Sequence, residues 1–259
     1  MTEKEIIIKG LKTNYKVFDG SRVGGQTSEP MLILHGWGSN SDRWQQVSDE
    51  LFSKFTVVVP DIPGFGKSDV PKEAWCLDNY VEWLLEFTNN VPELSSEFSL
   101  LGHSFGGALA SKYSIKYAQK VKKLFLVSAA IVRKNTGVKK ILYKIAKTVK
   151  IFSFLPLYSQ FRKAVYKFII RKSDYTYQNG IMKETYLKII LEDLSYKIGF
   201  IKVPVVIIWG DKDTSTPYDQ AIFINKRIFN SKLFVINGAE HALNTKFPKE
   251  LSQNILNNA

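Results

Sequence analysis

Apolar residues fall in short unbroken runs along the chain. Met31-Leu32-Ile33-Leu34, Thr56 to Val59, Phe98 to Leu101, Val121 to Val127 and Val203 to Trp209 are such runs. They suit strands buried on both faces of a sheet. Helical spacing intervenes: Trp44, Val47, Leu51 and Phe52 after Asp42, residues 76 to 89, Ala108 to Ala118, Pro217 to Phe229, and Phe247 to Asn257. Lys232 to Ile236 reads as a further strand. Residues 4 to 18 alternate instead, which predicts two antiparallel strands, Glu5 to Lys9 and Asn14 to Phe18. Gly20 to Pro30, with Gly24-Gly25, predicts an exposed loop. Alternating strands and helices with short connections predict an α/β domain with a mostly parallel central sheet and helices on both faces.

The rhythm stops between Ile131 and Phe200, where only helical segments are read, and resumes at Val203. The expectation is one sheet domain, 1–130 and 201–259, with a helical insertion at 131–200. Charge sharpens that boundary. The net charge is +12, and the insertion holds 15 Lys and Arg against Asp174, Glu184, Glu192 and Asp193, so the sheet domain is nearly neutral. Within the insertion, Val138, Ile141, Leu142, Ile145, Val149 and Phe152 follow helical spacing, with Lys140, Lys144 and Lys147 opposite. A second segment, Phe161 to Ile170, ends in Arg171-Lys172. Such segments pack an apolar face and leave their lysines in water; the sharper expectation is weak contact with an anionic membrane surface. The charge comes without a nucleic-acid-binding motif, so nucleic acid is not an expected partner.

An apolar content of 45% is ample for a core and excludes disorder as the organising principle. The single cysteine, Cys76, permits no intramolecular disulfide and joins no Cys/His cluster of the metal-binding type. Met1 to Gly10 lacks the apolar stretch of a signal peptide, and no run is long enough to span a bilayer. A cytoplasmic location is the expectation.

Chemistry concentrates at strand ends. Gly102-His103-Ser104-Phe105-Gly106 lies between a strand and a helix and fits G-x-S-x-G. A serine there sits at a strained backbone position with its hydroxyl projecting from the sheet edge, and the following N–H faces the same space. Larger side chains two residues before and after it would collide with the neighbouring strand and helix. Val203 to Trp209 runs into Gly210-Asp211-Lys212-Asp213, where two carboxylates compete for a role at the sheet edge. Asp213 comes later and precedes Pro217; Asp211 follows the strand-end glycine, where a turn-forming Asp is common. The chain has three histidines. His35 lies in an early loop, His103 adjoins the serine and should point away, and His241 is free to act as a base. The order is Ser104, then Asp211 or Asp213, then His241.

These pieces resemble the α/β-hydrolase superfamily, in its serine-nucleophile, carboxylesterase-like branch. The resemblance rests on His35-Gly36-Trp37-Gly38, Asp61-Ile62-Pro63-Gly64-Phe65-Gly66-Lys67-Ser68, Gly102 to Gly107, Gly210 to Asp213 with Pro217, and Gly238-Ala239-Glu240-His241, in that order. It implies the α/β-hydrolase fold, with the insertion as a helical cap over the nucleophile. It implies a Ser104, Asp213, His241 triad, and oxyanion donors at the backbone N–H of Trp37 and Phe105. Asp211 and Asp61 become structural. Glu240 stands where the family commonly has glycine. The resemblance further implies a small-molecule acyl substrate, of small or medium acyl length, and implies no cofactor and no metal. Serine rather than aspartate at the elbow argues against the dehalogenase and epoxide-hydrolase branches. A carboxylesterase is the leading expectation, beside thioesterase, lipase, aminopeptidase or carbon–carbon bond hydrolase activity, or a ligand-binding protein on the same scaffold.

Overall fold

The structure is a computed structural model that describes residues 1–19, 28–133, 160 and 180–259. Eight strands form one sheet: β1 (Thr2–Ile8), β2 (Leu11–Phe18), β3 (Glu29–Leu34), β4 (Phe55–Pro60), β5 (Phe98–His103), β6 (Val121–Val127), β7 (Val205–Gly210) and β8 (Ser231–Ile236). Their order is β1-β2-β4-β3-β5-β6-β7-β8. β1 and β2 pair antiparallel with each other, and β2 with β4; every later pairing is parallel. This is the mostly parallel sheet that the apolar runs predict.

The described helices are α1 (Gln45–Leu51), α2 (Leu77–Asn90), α3 (Phe105–Lys116), α4 (Ile181–Ile190), α5 (Tyr218–Arg227), α6 (Leu243–Lys246) and α7 (Pro248–Leu256). The period of two along each strand explains why the central runs are wholly apolar. Leu32, Leu34, Leu100, Leu124 and Ile207 face one core with Leu84, Leu109 and Ile224 of α2, α3 and α5. Met31, Ile33, Leu101, Phe125 and Ile208 face the other, with Val47, Leu51, Leu251 and Ile255 of α1 and α7.

Boundaries shift in places. The helix expected from Ala108 begins at Phe105, because the chain turns directly out of Ser104. The pattern after Asp42 divides into a 3-10 turn (Ser41–Trp44) and α1, and Phe52 is exposed past the helix end. The short α6 was not anticipated.

Part of the predicted insertion is described, and it docks on the sheet domain. The Thr185 hydroxyl of α4 accepts the Trp75 N–H at 3.1 Å, and the Lys188 ammonium donates to the Ala74 carbonyl at 2.5 Å. Glu192 pairs with the buried Lys112 of α3 at 2.5 Å, which also holds Asp78 at 2.8 Å. The amphipathic run from Val138 to Phe152, the segment Phe161 to Ile170 and most of the Gly20 to Pro30 loop lie outside the described residues. Among the described residues, no helix is long and apolar enough to cross a membrane.

Candidate active site

In a parallel sheet the carboxyl ends of the strands share one edge, and side chains from distant parts of the sequence meet there. Ser104 occupies the turn from β5 into α3 with φ 52 and ψ −115, a backbone region that a residue bearing a Cβ rarely adopts. Hydrogen bonds hold it there. The Ser104 N–H donates to the Val127 carbonyl at 3.0 Å, and its own carbonyl accepts the Ala130 N–H at 2.9 Å and the Gly107 N–H at 3.0 Å. The flanking glycines are required by contact. A Cβ on Gly102 would strike the Gly106 carbonyl, and one on Gly106 would strike the Leu34 carbonyl.

His241 follows β8 and reaches back across the edge. Its Nε2 lies 3.0 Å from Ser104 Oγ, and its Nδ1 lies 2.8 Å from Asp213 Oδ2. Asp213 follows β7, and its side chain is fully buried. Its Oδ1 accepts the N–H groups of Ser215 and Thr216, each at 2.9 Å, and Oδ2 accepts the Thr216 hydroxyl at 2.8 Å. Burial alone would push this carboxyl up. The hydrogen bond and charge of His241, with the donors of Thr216, outweigh burial and hold it below the usual carboxylate value. An ionised Asp213 only accepts, so His241 Nδ1 carries hydrogen and donates to it. Nε2 is then the free acceptor facing the serine hydroxyl. The competition between carboxylates resolves in geometry: Asp211 accepts the Gly238 N–H at 2.6 Å and holds the β8 turn.

The other two histidines point elsewhere. The buried His103 places Nε2 3.0 Å from the His241 carbonyl. Burial, then the nearby His241, pushes its pKa down to about 3, so the ring is neutral and donates that bond. His35 is also buried; its Nδ1 donates to the Gly36 carbonyl at 2.8 Å and its Nε2 accepts the Ile62 N–H at 3.0 Å. Burial lowers its pKa as well. Asp61 accepts the N–H groups of Ser41 and Lys67 at 2.7 and 2.8 Å and the Asn14 amide at 3.1 Å, which is a loop-holding role.

Trp37 and Phe105 border the serine on two sides. A Cβ on Gly36 would lie 3.3 Å from Ser104 Cβ, so the backbone leading into Trp37 runs against Ser104. Phe105 is the first residue of α3, where the N–H has no acceptor inside the helix. The Trp37 ring packs between Phe65 at 4.8 Å, Tyr186 of α4 at 5.1 Å and Phe105 at 5.4 Å.

Comparison with known proteins agrees with this architecture. The family described as alpha/beta hydrolase fold matches residues 29–150. The chain has the α/β-hydrolase fold. Lipase 1 of Psychrobacter immobilis is 27% identical over 234 residues, covering 84% of this chain and 73% of that protein. Lipase 3 of Moraxella sp. (strain TA144) is 26% identical over 231 residues, covering 83% and 72%. The crystal structure of a hydrolase from Pseudomonas aeruginosa PA01 superposes with a TM-score of 0.76 at 18% identity, covering 98% of this chain and 97% of that one.

On this α/β-hydrolase scaffold, two contributors escaped the sequence reading. His103 was expected only to point away; it anchors the backbone of the loop that carries His241. Thr216 was not singled out, yet its hydroxyl touches both Asp213 and, at 3.3 Å, His241 Nδ1. The available signal was Asp213-Thr214-Ser215-Thr216, a spacing suited to an Asp side chain that caps its own turn.

Proposed function

We propose that this protein is a serine hydrolase that cleaves carboxylic esters. The observation that carries the reading is the continuous chain from strained Ser104 through His241 to buried Asp213, at 3.0 and 2.8 Å. Ser104 Oγ attacks the ester carbonyl carbon while His241 Nε2 takes its proton. Asp213 holds the ring in the required tautomer and stabilises the imidazolium. The N–H groups of Trp37 and Phe105 receive the oxyanion, each worth about 3 kcal/mol in the transition state. The carbon–oxygen bond to the alcohol breaks as His241 returns the proton to it. Water then attacks the acyl-serine, again giving its proton to His241, and the acid leaves.

The predicted insertion acts as a cap in the same proposal, supported by the packing of Tyr186 on Trp37. The lipase relatives favour a lipophilic acyl group over a small polar one. A cytoplasmic location fits the lone cysteine.

Hydrolysis of p-nitrophenyl esters from acetate to palmitate, with wild type beside Ser104→Ala, tests the reading. Turnover in the wild type with loss of at least about a thousandfold in the variant is expected. Equal activity in both, or no labelling of the wild type by a fluorophosphonate, overturns it.

A further inference from the structure

Thr216 is buried beside Asp213 and His241, and the reaction scheme assigns it nothing. Its position is fixed from both sides. The Thr216 carbonyl accepts the Trp209 indole N–H at 2.8 Å, and its own N–H donates to Asp213 Oδ1 at 2.9 Å. Its hydroxyl oxygen then lies 2.8 Å from Asp213 Oδ2, 3.2 Å from the Ser128 carbonyl and 3.3 Å from His241 Nδ1.

One hydroxyl hydrogen must choose between two acceptors. If it pointed to Ser128, two oxygen lone-pair regions would face each other at 2.8 Å, one of them on a carboxylate. The shorter, charge-assisted bond to Asp213 wins. Oδ2 then accepts from Thr216 and His241 together, and the threonine oxygen also lies within reach of the same imidazole N–H. The hydroxyl draws charge from Oδ2, while its oxygen weakly attracts the Nδ1 hydrogen. The 2.8 Å contact outweighs the 3.3 Å contact, so the net effect is to moderate the pull of Asp213 on His241.

We propose that Thr216 is a positioning residue of this site: its hydroxyl fixes the Asp213 carboxylate and sets the strength of the Asp213–His241 hydrogen bond. This rests on the Ser104, His241 and Asp213 reading above. The titratable groups facing His241 are Asp213 from the loop after β7 and His103 from β5, whose ring centre is 5.0 Å away. Glu240 pairs with Lys246 on the exposed side, and Asp211 is engaged by the Gly238 N–H. Of these groups, only Asp213 loses a hydrogen bond when the hydroxyl is removed.

The test compares wild type with Thr216→Val, which keeps the shape, and Thr216→Ser, which keeps the hydroxyl. The first readout is the proton resonance of the His241 Nδ1–H, assigned against His241→Asn in a chain with three histidines. The second is the pH dependence of fluorophosphonate labelling. In Thr216→Val the Asp213 oxygen pulls harder on the ring, so the resonance moves downfield. The acidic limb of the labelling profile moves to higher pH by about half a unit, roughly a threefold slower reaction on that limb. Thr216→Ser restores both. An unchanged resonance and limb in Thr216→Val overturns the proposal. So does a rate loss accompanied only by a lower Tm, or a serine variant that behaves like valine. If the wild type is not labelled at all, the hydrolase reading fails, while the resonance still decides the role of Thr216.

Discussion

Asp213→Asn separates the chemistry of this site from its shape. The amide is isosteric, but the surrounding donors dictate its orientation. Oδ1 accepts two backbone N–H groups, from Ser215 and Thr216 at 2.9 Å, so the amide oxygen must take that place. The NH2 group then occupies the Oδ2 position, 2.8 Å from His241 Nδ1 and 2.8 Å from the Thr216 hydroxyl. An NH2 group donates, so Nδ1 must become the acceptor. The ring hydrogen moves to Nε2, which faces Ser104 Oγ at 3.0 Å and no longer accepts its proton. The site keeps its shape and loses its base. A wrong tautomer of this kind costs about 10⁴ in kcat, or about 5.5 kcal/mol of barrier. The assay is ester turnover or fluorophosphonate labelling of Asp213→Asn beside Asp211→Asn. The Asp211 variant should stay within about threefold of wild type, since that carboxylate holds the turn before Ala239. Retention of activity within about tenfold in Asp213→Asn, or an equal loss in Asp211→Asn, would refute the reasoning.

Two further outcomes follow from packing and burial. Gly106→Ala drives a Cβ into the Leu34 carbonyl, a backbone atom that cannot rotate away; a lower Tm from roughly 1–3 kcal/mol of overpacking is expected, together with slower labelling of Ser104. His103 binds a proton near its ordinary value of 6.5 when unfolded but resists it down to about 3 when folded. The unfolded state therefore holds more protons across that window, and stability falls as pH drops from about 6.5 toward 3. Urea titrations at stepped pH should show a loss of a few kcal/mol in the wild type and a flatter profile in His103→Gln, whose amide keeps the donor to His241; identical profiles would count against a neutral buried His103.

The fold was legible because the parallel strands are buried on both faces. Met31 to Leu34 reads as one apolar run only because alternate residues meet different cores. The candidate site was legible because glycines that backbone contact demands bracket Ser104, and because a chain with three histidines leaves few bases to weigh. Local sequence could not choose between Asp211 and Asp213. Both follow the same strand and both accept hydrogen bonds; only the approach of His241 from β8, 28 residues beyond Asp213, separates them. His103 and Thr216 were opaque for the same reason. Their partners lie 138 and 25 residues away and include a backbone carbonyl, which leaves no mark in the sequence.

The geometry around Ser104 also depends on a segment with no reacting group. The end of β6 receives the Ser104 N–H at Val127 and returns the Ala130 N–H to the Ser104 carbonyl. Between them, the Ser128 carbonyl lies 3.2 Å from the Thr216 hydroxyl, and the Ser128 N–H donates to Ile208 of β7 at 3.1 Å. Ser128 reaches both neighbours from a left-handed backbone, φ 44, that a buried residue with a Cβ adopts only when its surroundings enforce it. Ser104 and Asp213 thus lie on opposite sides of one strained turn. Ser104 is bonded to that turn, and Thr216, which holds Asp213, lies against it, so the span that His241 must bridge depends on the register of β6 between β5 and β7. A substitution in Val127–Ala130 would therefore change the span that the imidazole has to cover without touching any of the three side chains.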